Sequence, residues 1–309
     1  MSNIIEVSNF SKSYGKVQAV KKINFYVEEG KLFSFLGPNG AGKSTTIDTL
    51  CTLLELDEGE IIVNEYDLQK KAHLIRKDIG VVFQDSVLDV LLTVRENLFV
   101  RAGLYMKGRK KIKKVVNEVI DLISLGDFAN RPYGKLSGGQ RRRADIGAAL
   151  LHQPKILFLD EPTTGLDPQT RLMIWETIKE LKTKSGMTIF LTTHYMEEAA
   201  DSDYIIIIDH GEIVATGTPS QLKEEYTANT LHILPTNGEK LLSQLIFMNI
   251  ETTIKNITFA GDEVVIKLAN EKDALEILCH CKQYIESFKL LQGSMDDVFI
   301  NITGKEIRQ

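Results

Sequence analysis

Apolar positions along the chain first alternate, then cluster, then take helical spacing, and the changes mark out its elements. Alternating runs at Ile4–Val7 and Ala19–Val27 predict strands, and Glu28-Glu29-Gly30 supplies a turn after the second. Lys31–Leu36 is a compact apolar strand that runs straight into GPNGAGKST, and Thr45–Leu54 has helical spacing with no breaker. Glu60–Asn64 and Ile79–Gln84 predict further strands, with Leu56-Asp57-Glu58-Gly59 as a turn. From about Leu92 to Asn130 the pattern becomes helical, with apolar residues three and four apart in Arg95–Tyr105 and Val115–Leu125. Arg141–Leu151 and Thr170–Lys184 predict helices, Lys155–Leu159 and Thr188–Thr192 buried strands, and Met196–Ala200 a short helix. Tyr204–Asp209 and Glu212–Ala215 flank His210-Gly211 as a hairpin. Strands alternating with helices give a layered α/β core. After Thr216-Gly217-Thr218-Pro219 comes a short helix, Ser220–Tyr226. The remainder reads strand, helix, strand, strand, helix, strand, with Gly261-Asp262-Glu263 as a turn, which is a small α+β unit of split βαβ type. The expected domains are 1–226 and 227–309.

Composition narrows the partners. The chain has 309 residues, 43% of them hydrophobic, which is enough for a large domain plus a small one with real cores. Its 37 Lys plus Arg stand against 42 Asp plus Glu, and this mildly acidic balance argues against nucleic acid as a partner. No apolar run approaches the ~18–20 residues that span a bilayer. The start, MSNIIEV, has no basic-then-apolar leader, and Cys51, Cys279 and Cys281 make no disulfide framework, so a reducing, cytoplasmic setting is expected. The six basic residues within Lys107–Lys114 read as a solvated connection between helices, with contact to anionic lipid as the alternative.

The candidate chemistry starts at Gly37-Pro38-Asn39-Gly40-Ala41-Gly42-Lys43-Ser44, which fits G-x-x-x-x-G-K-[ST] between an apolar strand and a helix. Glycines let the backbone wrap so that several N–H groups face one anion, and the helix start adds its dipole. Lys43 would place a charge on the β- and γ-phosphates, Ser44 would offer a hydroxyl to Mg²⁺, and Thr45 continues the loop into the helix. A second signal is the apolar run Ile156-Leu157-Phe158-Leu159 ending in Asp160-Glu161. The carboxyl edge of such a strand opens into the crevice where α/β sheets hold ligands. Asp160 is expected in the Mg²⁺ shell and Glu161 on the attacking water, pointing apart because neighbours on a strand face opposite ways.

A third signal is Leu136-Ser137-Gly138-Gly139-Gln140 ahead of a helix, with Ser137 as its N-cap. Together with the phosphate loop and the Leu159-Asp160-Glu161-Pro162 strand end, it resembles the ATP-binding cassette family over roughly Ile4–Tyr226. The resemblance implies a P-loop fold with a mixed β core, an antiparallel β subdomain, a helical subdomain at about 85–150, and a small C-terminal α+β accessory domain. It implies that Tyr14 stacks on adenine and that Gln84 senses Mg²⁺, the γ-phosphate and the membrane partner. It implies that Gly165-Leu166-Asp167 touches a partner cassette and that His194 contacts the γ-phosphate. Mg²⁺ would be held by Ser44, Gln84 and Asp160, and ATP would be hydrolysed with Glu161, His194 and Lys43 as the catalytic groups. Ser137, Gly139 and Gln140 would close over the nucleotide of a second copy, or of a related cassette.

Ser86–Leu98, Arg131–Arg143, Asp160–Trp175 and the ending Met295-Asp296-Asp297-Val298-Phe299 with Thr303-Gly304 are similar to ATP-binding subunits of drug, antibiotic and lantibiotic exporters. Those work on separately encoded permeases, which implies a peripheral place on the cytoplasmic face of the membrane. The stretch Asp85–Leu92 departs from that group, which more often carries an acidic pair there, and the difference bears on partner identity. An importer subunit and a soluble, non-transport cassette are the alternatives. Cys279-His280-Cys281 has the look of a metal triplet without the four ligands that zinc wants. Arg141–Arg143 are expected in ion pairs or interface contacts, and Trp175 in the core.

Overall fold

The antiparallel part of the fold comes from the opening strands, β1 (Asn3–Tyr14) and β2 (Val17–Glu28), where alternate side chains are buried. The computed structural model describes residues 2–247, 257–268 and 271–304. After β2 follow β3 (Leu32–Leu36), α1 (Lys43–Leu50), β4 (Glu58–Val63), β5 (Tyr66–Asp67), α2 (Leu68–Asp78) and β6 (Ile79–Val82). Helices α3 (Val94–Tyr105), α4 (Arg109–Leu122) and α5 (Gly138–Leu150) then precede β7 (Ile156–Asp160), α6 (Pro168–Ser185), β8 (Thr188–Thr193), α7 (Met196–Ala199) and the hairpin β9 (Tyr204–Asp209) and β10 (Glu212–Gly217).

One sheet runs β2-β1-β4-β5 and a second runs β10-β9-β3-β8-β7-β6. In the second, β9, β3, β8, β7 and β6 are parallel and β10 pairs antiparallel with β9. Its central strands are buried on both faces, which fits their mostly apolar sequences. The period of two still sorts their side chains. Ile156, Phe158 and Phe190 join Phe25, Phe33 and Phe35 in the core shared with the first sheet. Leu157, Leu159, Ile189 and Leu191 face the core built by α3, α4, α5 and α6. The first core is aromatic, with Phe33 and Phe190 stacked at 5.2 Å and Phe25 and Phe35 tilted at 5.6 Å.

Several boundaries differ from expectation. Helix α1 stops at Leu50, where the chain turns through a positive φ at Thr52. Helix α2 was not anticipated, although Asp67 caps it by accepting from the N–H groups of Gln69 and Lys70, both at 3.0 Å. Strand β6 ends at Val82, so Gln84 lies in the loop beyond it. Helix α4 reaches back to Arg109, so most of the basic stretch is helix and not connection. The cause is Ile112, buried one turn before Val116 on the same helix face.

The chain divides into compact units Met1–Thr218 and Pro219–Gln309, eight residues earlier than the boundary expected at 226. Helix α8 (Pro219–Tyr226) belongs to the second unit, where Asn301 Nδ2 of the helix Met295–Thr303 donates to Tyr226 O at 2.7 Å. Strands β11 (Asn229–Pro235), β12 (Ile257–Ala260), β13 (Glu263–Leu268) and β14 (Ile285–Leu291) form an antiparallel sheet in the order β12-β13-β11-β14. Helix α9 (Gly238–Phe247) and the helix Glu271–Cys281 share a core with that sheet through Leu241, Leu245 and Ile277 against Leu231, Ile233 and Ile266. This is the split βαβ arrangement. Among the described residues, no helix is long and apolar enough to cross a membrane.

Candidate functional site

The site forms where β3 hands over to α1. Gly37 is packed so closely that a Cβ would collide with the Ile208 carbonyl, and Gly42 has φ 107°, a conformation that L side chains rarely adopt. Gly42 is the N-cap of α1 without a side-chain cap, so the first-turn N–H groups stay available to a ligand. A cleft of about 640 Å³ runs along this loop. Asn39, Gly40, Gly42, Lys43, Ser44 and Thr45 line it, with Tyr14 and Ala19 from the first sheet's edge. Gln84, Glu161, Thr164 and His194 complete it. Ala41 is buried in the core and Pro38 is half-buried, so they shape the loop from behind. Tyr14 is 50% exposed, which rules out the core-packing role that a lone strand tyrosine would otherwise have.

Lys43 is the buried cation of the cleft, with its side chain 4% exposed. Its Nζ donates to the carbonyls of Gly37 (2.8 Å) and Pro38 (3.1 Å) and lies 3.3 Å from Glu161 Oε1. Burial lowers its pKa, and the carboxylates of Glu161 and Asp160 offset part of that. Glu161 is the hub. Its Oε2 accepts from Thr164 Oγ1 at 3.0 Å and lies 3.2 Å from His194 Nδ1, in an approach that lacks hydrogen-bond alignment. Burial pushes the Glu161 carboxyl up, but Lys43 and His194 outweigh it and hold the pKa below the usual value.

Glu161 does not continue β7. It has φ 43°, outside the strand, while its N–H donates to Thr192 O and Oγ1. The left-handed turn, and not the pleat of a strand, separates its carboxylate from that of Asp160. Asp160 is 8% exposed and accepts from Thr192 Oγ1 at 2.5 Å. Desolvation raises its pKa, with the nearby Glu161 adding to the effect. Ser44, Gln84 and Asp160 offer only oxygen donors of hard type, a hydroxyl, an amide carbonyl and a carboxylate, and that set fits Mg²⁺.

Ser137 caps α5 in a capping box with Gln140: the Ser137 N–H donates to Gln140 Oε1 at 3.1 Å and the Gln140 N–H to Ser137 Oγ at 3.4 Å. None of Ser137, Gly139 and Gln140 lines the cleft. Gly139 is instead packed on Thr170 and Gly138 on Leu166, so this loop rests against the start of α6. Asp167 caps that helix through Thr170 N at 3.0 Å.

Family comparison gives this geometry a context. Residues 20–164 match the ABC transporter family, and residues 217–303 match the C-terminal domain of ATP-binding proteins like DrrA1-3. The chain is 35% identical over 99% of its length to the linearmycin resistance ATP-binding protein LnrL of Bacillus subtilis, covering 100% of that protein. The chain belongs to the ABC transporter family.

Further relatives agree. The daunorubicin/doxorubicin resistance ATP-binding protein DrrA of Streptomyces peucetius is 36% identical over 97% of this chain and 92% of its own. A Nod factor export ATP-binding protein I of a Rhizobium species is 35% identical over 99% and 98%. A solved dimeric cassette bound to ADP and phosphate superposes with a TM-score of 0.63 at 32% identity, over 70% of this chain and 98% of that one. The protein is therefore the ATP-binding, ATP-hydrolysing type of subunit in this family.

Residues that the sequence did not mark also shape the cassette. Thr192 serves both acidic neighbours, and Thr164 holds Glu161. Buried Glu198 takes the hydroxyls of Thr163 and Thr193 (2.7 Å for the latter), tying the turn after Glu161 to the segment that carries His194. Threonine pairs near strand ends are the only local signal of these contacts. Of the two roles expected for Arg141, Arg142 and Arg143, ion pairs or interface contacts, the structure shows neither among the described residues; they form hydrogen bonds to backbone carbonyls of Gly134, Phe83, Gln84 and Ser124. Trp175 is buried in the core that α6 helps to build. Among the described residues, no cluster of His, Cys, Asp and Glu could hold a metal, and His280 instead bonds Glu276 O at 2.8 Å.

Proposed function

We propose that this ATPase drives export of an antibiotic- or drug-like molecule through a separate membrane permease, working as a two-fold pair of cassettes over ATP and Mg²⁺. The observation that carries the reading is Glu161, held in the cleft between Lys43 and His194. Its lowered pKa keeps it ionised near neutrality, so it can accept a proton from a water. An arriving phosphate would compete with Glu161 for Lys43 Nζ and release the carboxylate toward that water. His194 stands beside the same carboxylate, where it can meet the γ-phosphate. Tyr14, exposed at the cleft edge, offers a ring face to adenine. Bound Mg²⁺ would neutralise phosphate charge, with Ser44, Gln84 and Asp160 as its protein donors.

Ser137 and Gln140 lie outside the cleft of their own chain, at the start of a capped helix, which supports a role on the nucleotide of a second copy. Exposed Val87, Val90 and Leu91 in the loop after Gln84 offer apolar contact to a permease. Relatives named for linearmycin resistance, daunorubicin resistance and Nod factor export support outward transport. The association with the membrane would be peripheral, on the cytoplasmic face. The test is a tagged Glu161→Gln chain purified from solubilised membranes with ATP and Mg²⁺. A co-purifying multi-spanning protein and a doubled mass of the cassette are expected. Recovery with a soluble complex and no membrane protein would overturn the transport reading and leave the ATPase assignment intact.

A further inference from the structure

The loop after β6 carries Gln84, and the start of α5 carries Ser137. One buried side chain joins them. Arg142 is 8% exposed, and its Nη1 and Nη2 donate to the carbonyls of Phe83 (2.5 Å) and Gln84 (3.0 Å). One turn further along α5, Asp145 accepts from Ser86 Oγ at 2.6 Å and from Tyr133 OH at 3.1 Å. Positions three apart share a helix face, so Arg142 and Asp145 grip the same loop side by side. Tyr133 is 2% exposed, just ahead of the segment that leads into Ser137.

A purely architectural network would need nothing more than satisfied partners. This one is more particular. Burial makes a guanidinium costly, and a nearby carboxylate is the common remedy. The carboxylates of Asp145, Asp160 and Asp85 offset part of that cost for Arg142, yet its hydrogen bonds go to two consecutive carbonyls, and the rigid planar fork fixes the backbone on either side of Gln84's α-carbon more tightly than a lysine could. The bonds hold peptide groups and leave the Gln84 side chain free to face the cleft, which it lines.

We propose that Arg142 is a positioning residue which makes the Gln84 loop and the helix behind Ser137 move as one body, with Asp145 completing the latch through Ser86 and Tyr133. The proposal rests on the ATPase reading above. Nucleotide engaged by Gln84 in one cleft then shifts Ser137, and through it the site of the second copy. The two clefts of a pair are thereby linked within each chain.

The test uses full-length protein and hydrogen exchange with and without ATP and Mg²⁺, alongside kcat, KM and the affinity for a fluorescent ATP analogue. In the unaltered chain, nucleotide slows exchange at residues 84–89 and 137–143 together. In Arg142→Met it slows only 84–89, kcat falls about tenfold or more, and analogue affinity changes by less than about threefold. Arg142→Lys restores charge and one bond, and recovers part of kcat. Linked slowing that persists in Arg142→Met with kcat unchanged overturns the proposal. If that variant does not fold, Ser86→Ala with Tyr133→Phe keeps Arg142 and strips Asp145 of its partners. Weakened linkage there supports the latch, and unaltered linkage overturns it. No nucleotide response in the unaltered chain overturns the ATPase reading and the latch together, whereas a lone failure of linkage leaves the ATPase reading standing.

Discussion

The carboxylates at the end of β7 have opposite electrostatic problems. Glu161 is held below its ordinary pKa because Lys43 and His194 outweigh its burial, whereas Asp160 is raised because desolvation dominates. Glu161→Gln should lower turnover by about 10²–10⁴-fold while nucleotide binding persists, as measured by steady-state ATPase and equilibrium binding. The signs for stability also differ. Glu161 contributes stability that is full above its unfolded pKa and lost as pH falls through its lower folded value. Asp160 is destabilising when ionised, and that cost disappears as pH falls below its unfolded value. Asp160→Asn, which still accepts from Thr192, should therefore raise the thermal midpoint of metal-free protein near neutrality and lose the further rise on adding Mg²⁺ with ATP. A lower midpoint in metal-free buffer would contradict this. The phosphate loop was legible because its chemistry is local, eight consecutive residues with fixed types. The partners of Asp160 and Glu161 were not, since Thr192 lies 32 and 31 positions away and the turn at Glu161 is imposed by the sheet beside it.

Elements with a strong apolar period appear where the sequence places them, and errors collect at their ends. Helix α4 shows why. Its basic first turns look like linker until Ile112 is seen to need burial. Helix α2 has few buried residues, Leu68 and Ile75, so periodicity alone gave too little signal and only the Asp67 cap marked its start. At the other extreme is the junction of α5 and α6, where Gly139 lies so close to Thr170 that a methyl group would strike its Cγ2. Gly139→Ala should cost about 1–3 kcal/mol of stability through overpacking. Adding Thr170→Ser removes the offending methyl while keeping the hydroxyl bonded to Asp167, and should recover most of the loss in a denaturation series. Equal destabilisation in single and double variants would show that the contact does not set the requirement for glycine.

Every residue that lines the cleft lies in the unit Met1–Thr218, which has its own cores. A chain ending at Thr218 should keep its affinity for nucleotide within about threefold of full length, as equilibrium titration would reveal; a loss beyond about tenfold would assign part of the site to the second unit. The sequence pattern changes after Thr216 but placed the boundary at 226, because the allegiance of α8 was not legible. Eight residues of helix are neutral to a sequence reading until the terminal helix is found packed against them. The order of the large sheet has a consequence for how the protein is made. Strand β8 lies between β3 and β7, although it is the last of the three to be synthesised. Until Thr193 has cleared the ribosome, the strand that launches the Lys43 loop and the strand that ends in Asp160 have nothing to hold them side by side. The cleft, lined by Lys43, Glu161 and His194, can therefore be completed only after residue 194 has been added to the chain.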